Sequence, residues 1–164
     1  MAKAHIEAEV TIDRPIADVF RFVAVDHCEN HPTWDPNVVR IEPPGEGAME
    51  LGSRFTIVRT TMGREESRVF EVRQWDEPAR MTITTRSKDF DLSLVSGCEA
   101  LGAARTHLTL AADVRVGGIR ALLTPLMKRK FATEIRRNLM RIKRTLETPA
   151  LTVTQQPDSV VEAR

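Results

Sequence analysis

Apolar and polar positions alternate along most of the chain up to Val114, then change to steps of three and four residues. Period two marks a strand with one buried face, and period 3.6 marks a helix with one buried stripe. Ala4, Ile6, Ala8, Val10 and Ile12 share one face while His5, Glu7, Glu9 and Thr11 share the other, which predicts a half-buried strand over Ala4–Ile12. Asp13 is placed to cap a following helix, with Pro15 in its first turn and Ile16, Val19, Phe20 and Val23 on one side. Asp26, with Glu29 three residues on, opens a second short helix that Pro32 is expected to stop. The run His31-Pro32-Thr33-Trp34-Asp35-Pro36 then reads as an ordered loop.

Six more strands follow: Val38–Glu42, Ser53–Thr61, Arg64–Trp75, Arg80–Arg86, Phe90–Val95 and Arg105–Val114. Ser96–Ala104 contains Gly97 and Gly102 and reads as a loop. Short connections imply antiparallel hairpins, and one-sided alternation implies a sheet covered on one face. The cover is the stretch from Gly117 to about Glu147. Ile119, Leu122, Leu126, Met127, Phe131, Ile135, Leu139, Ile142 and Leu146 form its apolar stripe. Thr124 and Pro125 suit an internal N-cap and first helical residue, so the helix is expected to bend or restart there. From Pro125 to Glu147 it would be about 33 Å long at 1.5 Å per residue, enough to cross a small domain. One strand, two short helices, six strands and a long helix make an α+β layout, expected as a single domain over residues 1–147. Residues 148–164 lack periodicity and are expected to form a flexible C-terminal tail.

A chain of 164 residues is long enough to bury a sizeable core in one domain, and 41% hydrophobic with 29% charged residues fits a soluble globular protein. No apolar run is long enough to span a bilayer, and the N-terminus enters the first strand without a signal-peptide core. A cytoplasmic location is the default expectation. Cys28 and Cys98 define no disulfide framework. The net charge of +1 is unevenly distributed: Ile119–Glu147 holds nine Lys or Arg against Glu134 and Glu147, and the remainder is acidic. The simplest reading is a basic helix facing water and complementing an acidic body, rather than a nucleic-acid or membrane surface.

Several stretches resemble the START-related, helix-grip superfamily known as SRPBCC, and within it the polyketide cyclase/dehydrase-like group. They are Val10-Thr11-Ile12-Asp13-Arg14-Pro15-Ile16-Ala17-Asp18-Val19-Phe20 at the strand-to-helix opening, His31-Pro32-Thr33-Trp34-Asp35-Pro36, Gly52-Ser53-Arg54-Phe55, and the closing basic helix. The resemblance covers roughly residues 4 to 147. It implies a helix-grip fold: a curved seven-stranded antiparallel sheet wrapped around a long C-terminal helix, with two short helices after the first strand. It also implies a cavity between sheet and helix that holds small apolar molecules. Family members include lipid carriers, hormone binders and aromatase/cyclases, so the fold narrows the ligand class without fixing the function.

The expected cavity walls are the inward strand residues Phe55, Ile57, Phe70, Met81, Ile83, Phe90 and Leu92, with Leu122, Leu126, Met127, Phe131 and Ile135 from the helix. Trp34 and Asp35 lie where the resembling family has its cavity mouth. They read either as a ligand-facing pair or as an edge plug and a turn cap. Arg59 is in step with Phe55 and Ile57, and Glu66 and Arg68 with Phe70 and Val72. Either these charges pair inside the cavity, or the strand ends carry them outward into water. His27 and His31 have metal-compatible spacing but no second ligand pair, and they read as surface residues. No metal and no cofactor is expected.

No nucleophile elbow, phosphate loop or dinucleotide fingerprint is present, and the chain has no tyrosine. The weak catalytic candidates are Asp35 and Glu66. Three functions follow. The first is binding of a small hydrophobic molecule (lipid, polyketide or aromatic). The second is a cyclase or dehydratase with Asp35 or Glu66 as acid or base. The third is an interaction module acting through the basic helix.

Overall fold

The computed structural model describes residues 2–45, 47–61, 63–117 and 124–148. Strand β1 (Ala2–Ile12) leads into helix α1 (Ile16–Phe20), which widens into a π-helical turn over Arg21–Val25, and then into α2 (His27–Trp34). Strands β2 (Val38–Glu42), β3 (Arg54–Thr61), β4 (Arg64–Asp76), β5 (Arg80–Ser87), β6 (Phe90–Ala100) and β7 (Thr106–Val116) follow, and α3 (Thr124–Glu147) closes the order. All neighbours pair antiparallel in the order β1-β7-β6-β5-β4-β3-β2, so the first strand lies beside the last. Irregular register between Val38 and Arg40, and between Val72 and Gln74, bends two of the strands and helps the sheet curl.

The alternation read in the sequence becomes an inner face. Ile12, Phe55, Ile57, Phe70, Val72, Met81, Ile83, Leu92, Leu108, Ala112 and Val114 are buried there. Val19, Phe20, Val23 and Ala24 close one end, with the Phe20 ring edge-on to Trp75 at 5.5 Å. Helix α3 lies across the inner face near β1, where Leu139 and Ile142 are fully buried. Three contacts clamp its C-terminal end. The Asp13 main-chain N–H donates to Glu147 Oε1 (2.8 Å), Arg14 Nε to the Leu146 carbonyl (2.6 Å), and Lys143 Nζ to the Thr11 carbonyl (2.7 Å).

Four local expectations are corrected. Asp13 caps no helix: the α1 N-cap position is Pro15, and the Asp13 carboxylate instead accepts from Arg105 at 2.9 Å. Pro32 does not stop α2, because burial of His31 and Trp34 carries the helix through it at the loss of one backbone donor. Ser96–Ala100 is strand, because Ser96 and Cys98 continue the inward face and Gly97 sits flat against Thr109. Leu126 is 71% exposed rather than part of the inward stripe. Nine residues at about 100° each amount to two and a half turns, so Leu126 lies on the face opposite Ile135. Leu122, the side chain of Met127 and the tail from residue 149 lie outside the described residues.

Candidate functional site

The hairpins β3–β4 and β5–β6 lie at the end of the sheet from which α3 starts, and α3 is clamped at the other end. Phe55, Ile57, Phe70, Met81, Ile83 and Leu92 close into the core. Toward the hairpins the inner face opens. Phe90 and Leu94 of β6 are only half-buried, as are Phe131 and Ile135 on the inward side of α3. The charged residues of the sequence reading lie at this open end. Arg59 Nη2 is 3.8 Å from Glu134 Oε2 of α3. Arg68 Nη2 is 3.3 Å from Glu66 Oε2, and the Arg68 guanidinium lies 4.5 Å above the Phe90 ring. The strands therefore keep these charges on the inner face, paired and partly desolvated, which offsets the penalty of burying them.

A second polar array reaches the same place from α2. His27, His31 and Asp35 recur every four residues and so share one face. The expectation that both histidines are surface residues is overturned, since they are 3% and 5% exposed. Trp34 stacks on His31 at 4.1 Å, and His27 meets Phe55 edge-on at 5.6 Å. These aromatic contacts draw the polar rings into the core.

The array has three gaps to fill with protons. His27 Nδ1 is 3.0 Å from the Val23 carbonyl, His31 Nδ1 is 3.1 Å from His27 Nε2, and His31 Nε2 is 3.7 Å from Asp35 Oδ2. Two neutral rings carry two protons, so one gap stays empty. The Val23 carbonyl and an ionised Asp35 carboxylate can both only accept, so they compete for the N–H groups at the two ends of the array. The longest of the three distances is the one between His31 and Asp35. Burial, reinforced by the charge of His31 and opposed by the Val23 carbonyl, pushes His27 down to about 3. Burial also lowers His31, outweighing the opposing pull of Asp35. Burial raises the Asp35 carboxyl, but the facing His31 ring, the Arg59 guanidinium and the Asn37 N–H together hold it below its ordinary value.

Arg59 connects the two arrays, with Glu134 on one side and the charge of Asp35 on the other. Its Nε is buried with no acceptor among the described residues, and so is Trp34 Nε1. An unmatched buried donor costs about 1–3 kcal/mol, so both sites favour an added oxygen acceptor. The sequence reading singled out Trp34, Asp35, Arg59, Glu66 and Arg68, but not the inward role of the histidines or of Glu134. The four-residue spacing of His27, His31 and Asp35 was the available signal. The loop from Pro44 to Arg54 holds a separate open depression of about 480 Å³, lined by none of these residues.

A curled antiparallel sheet, two short helices at one end and a long helix across the inner face define the START-related helix-grip class. The chain belongs to the polyketide cyclase/dehydrase and lipid transport family, whose profile matches residues 3–147. It is similar in fold to a START superfamily protein from Mycobacterium smegmatis (TM-score 0.71, 14% identity, 87% of this chain and 97% of that one). It is likewise similar to the ZhuI aromatase/cyclase from Streptomyces sp. R1128 (TM-score 0.65, 16% identity, 87% and 94%). The di-domain aromatase/cyclase BexL of the BE-7585A biosynthetic pathway matches at TM-score 0.69 and 22% identity over 90% of this chain, which spans 47% of that protein. At these identities the likeness concerns the fold alone. No curated protein sequence matches the chain. Among the described residues, no helix is long and apolar enough to cross a membrane.

Proposed function

We propose that the protein binds a small amphipathic molecule between the open end of the sheet and the N-terminal half of α3. The observation that carries this reading is the pair of buried, unmatched donors, Trp34 Nε1 and Arg59 Nε, together with an apolar wall of the half-buried Phe90, Phe131 and Ile135 on the inward faces of β6 and α3. An apolar body fits the wall, and an oxygen acceptor fits the donors, so the ligand is an oxygenated lipid, polyketide or aromatic compound. Burial of a few hundred Å² at about 25 cal/mol per Å² supports useful affinity before ordering costs are subtracted. Family membership supports the reading, since the family description includes lipid transport. Native mass spectrometry of freshly purified protein, with displacement of an environment-sensitive dye by fatty acids and polycyclic phenols, tests it. Saturable displacement is expected; absence of any dye or ligand binding by the folded protein would reject the reading.

One arrangement favours catalysis of cyclase or dehydratase type as a second reading. Asp35 is buried, coupled to His31 and flanked by Arg59, which is a setting for proton transfer to a bound carbonyl compound. Glu66, tied to Arg68 and more exposed, is the poorer acid–base candidate. Turnover of a poly-β-keto thioester that is lost in Asp35→Asn while dye binding persists would support it. A bound substrate recovered unchanged would reject it.

A further inference from the structure

The outer face of α3 carries a feature that ligand binding does not use. Leu126 is 71% exposed and Met140 is 52% exposed, fourteen positions apart on the same face. Arg129, Lys130, Arg136, Arg137 and Arg144 are exposed within the same third of the helix circumference, taking about 100° per residue. Neither acid of the helix pairs with the four arginines of this face. Glu134 turns to Arg59, with Lys130 at its outer limit of 4.0 Å, and Glu147 turns to Lys143 and the Asp13 N–H. Among the described residues, Arg129, Arg136, Arg137 and Arg144 have no carboxylate within ion-pair distance. Like charges spaced this closely on a helix repel, so the free protein carries an electrostatic cost that an anionic surface would relieve.

We propose that this face docks the protein on an anionic lipid bilayer. Charge complementarity selects an anionic partner, and the two exposed apolar side chains select a bilayer over a polyanion. Leu126 and Met140 lie about 21 Å apart along the axis and enter the headgroup layer side by side, while the arginines pair with lipid phosphates. The described residues before α3 carry an excess of acid and lie on the other side of the helix from this face. Docking in this pose sets the helix lengthwise on the bilayer, with its N-terminal half beside the open end of the sheet. The inference goes beyond the ligand reading and stands without it.

Flotation with vesicles of phosphatidylcholine alone, and of phosphatidylcholine with phosphatidylglycerol, tests the proposal. The full chain is expected to float with the anionic vesicles only, and less as salt rises. Arg136→Glu with Arg137→Glu is expected to reduce partitioning at least about tenfold, and Leu126→Gln with Met140→Gln several-fold. Neither arginine belongs to the ligand site, so the arginine variant should keep its melting temperature and dye binding. If it does not fold, Arg136→Gln with Arg137→Gln carries the same prediction at smaller amplitude. The proposal is overturned by absence of flotation, by equal flotation with neutral vesicles, or by insensitivity to either pair of substitutions. Tighter binding to duplex DNA, independent of Leu126 and Met140, also overturns it. Flotation without dye binding would reject the ligand reading alone.

Discussion

Arg59 of β3 and Glu134 of α3 lie 3.8 Å apart, the one ion pair among the described residues that joins the sheet to the long helix. Among the described residues, the hydrogen bonds that tie α3 to β1 and to Asp13 and Arg14 just after it gather at the helix's C-terminal end. The pair lies at the open end, and under the proposed function Glu134 competes with a ligand oxygen for the guanidinium. Glu134→Gln should change stability by less than about 1 kcal/mol, since the pair is partly solvated. It should tighten binding of a fatty acid several-fold relative to the matching alcohol. Dye-displacement titrations with the two ligands give the ratio; an unchanged ratio contradicts the competition.

The buried histidines predict acid sensitivity with a definite sign. Burial pushes His27 down to about 3 in the folded chain from an ordinary 6.5, and lowers His31 as well. Between these values the unfolded chain binds more protons, so stability falls as pH falls. The contribution is fully present above 6.5 and is lost as pH drops toward 3. Each histidine adds a slope of up to about 1.4 kcal/mol per pH unit. Asp35, held below its ordinary 3.8, adds its own loss only in the more acid range. Denaturant unfolding at several pH values should show this slope, reduced in His27→Gln. An equal slope in the variant would place the sensitivity elsewhere.

The two ends of α3 predict opposite responses to truncation. Ile142 has no exposed surface, so Ile142→Ala should cost about 2–5 kcal/mol. Leu126 is mostly exposed, so Leu126→Ala should change stability by no more than about 0.5 kcal/mol. Urea unfolding of both variants checks the contrast. A large loss at Leu126 would mean that the N-terminal half of the helix is packed.

Most of the architecture was legible because period two and period 3.6 survive in the sequence wherever one face is buried. The seven strands and the long helix follow from that alternation, and the inward placement of Arg59, Glu66 and Arg68 follows from counting in twos. The errors fall where tertiary contact outweighs a local signal. Pro32 reads as a stop, yet the stacking of Trp34 on His31 holds the helix through it. His27 and His31 read as exposed because imidazole is polar. Their burial depends on Val23, Asp35 and Phe55, which no local pattern connects to them. Leu126 falls off the inward stripe because it precedes Met127 by one residue, a turn of about 100°, and not by three or four. The unmatched donors of Trp34 and Arg59 have no sequence signature, since they are defined by what is missing around them.

Phe131 gives the sharpest test of an open ligand space. It is half-buried on α3, four residues before Ile135, and on the side of the helix that turns toward the sheet. If the space beside it is open, an indole fits without displacing neighbours but occupies volume that a ligand would use. Phe131→Trp should then leave stability within about 1 kcal/mol, whereas overpacking a filled core costs about 1–3 kcal/mol. Dye affinity should fall about tenfold, which corresponds to roughly 1.4 kcal/mol of lost contact. Phe131→Ala should cost well under the 3–5 kcal/mol, roughly, of a fully buried phenylalanine, because part of the ring already meets solvent. Unfolding curves and dye titrations of both variants decide the matter. A Phe131→Trp chain that is clearly destabilised yet binds dye as before would show Phe131 packed in a closed interior, and would remove the ligand wall on which the proposed function rests.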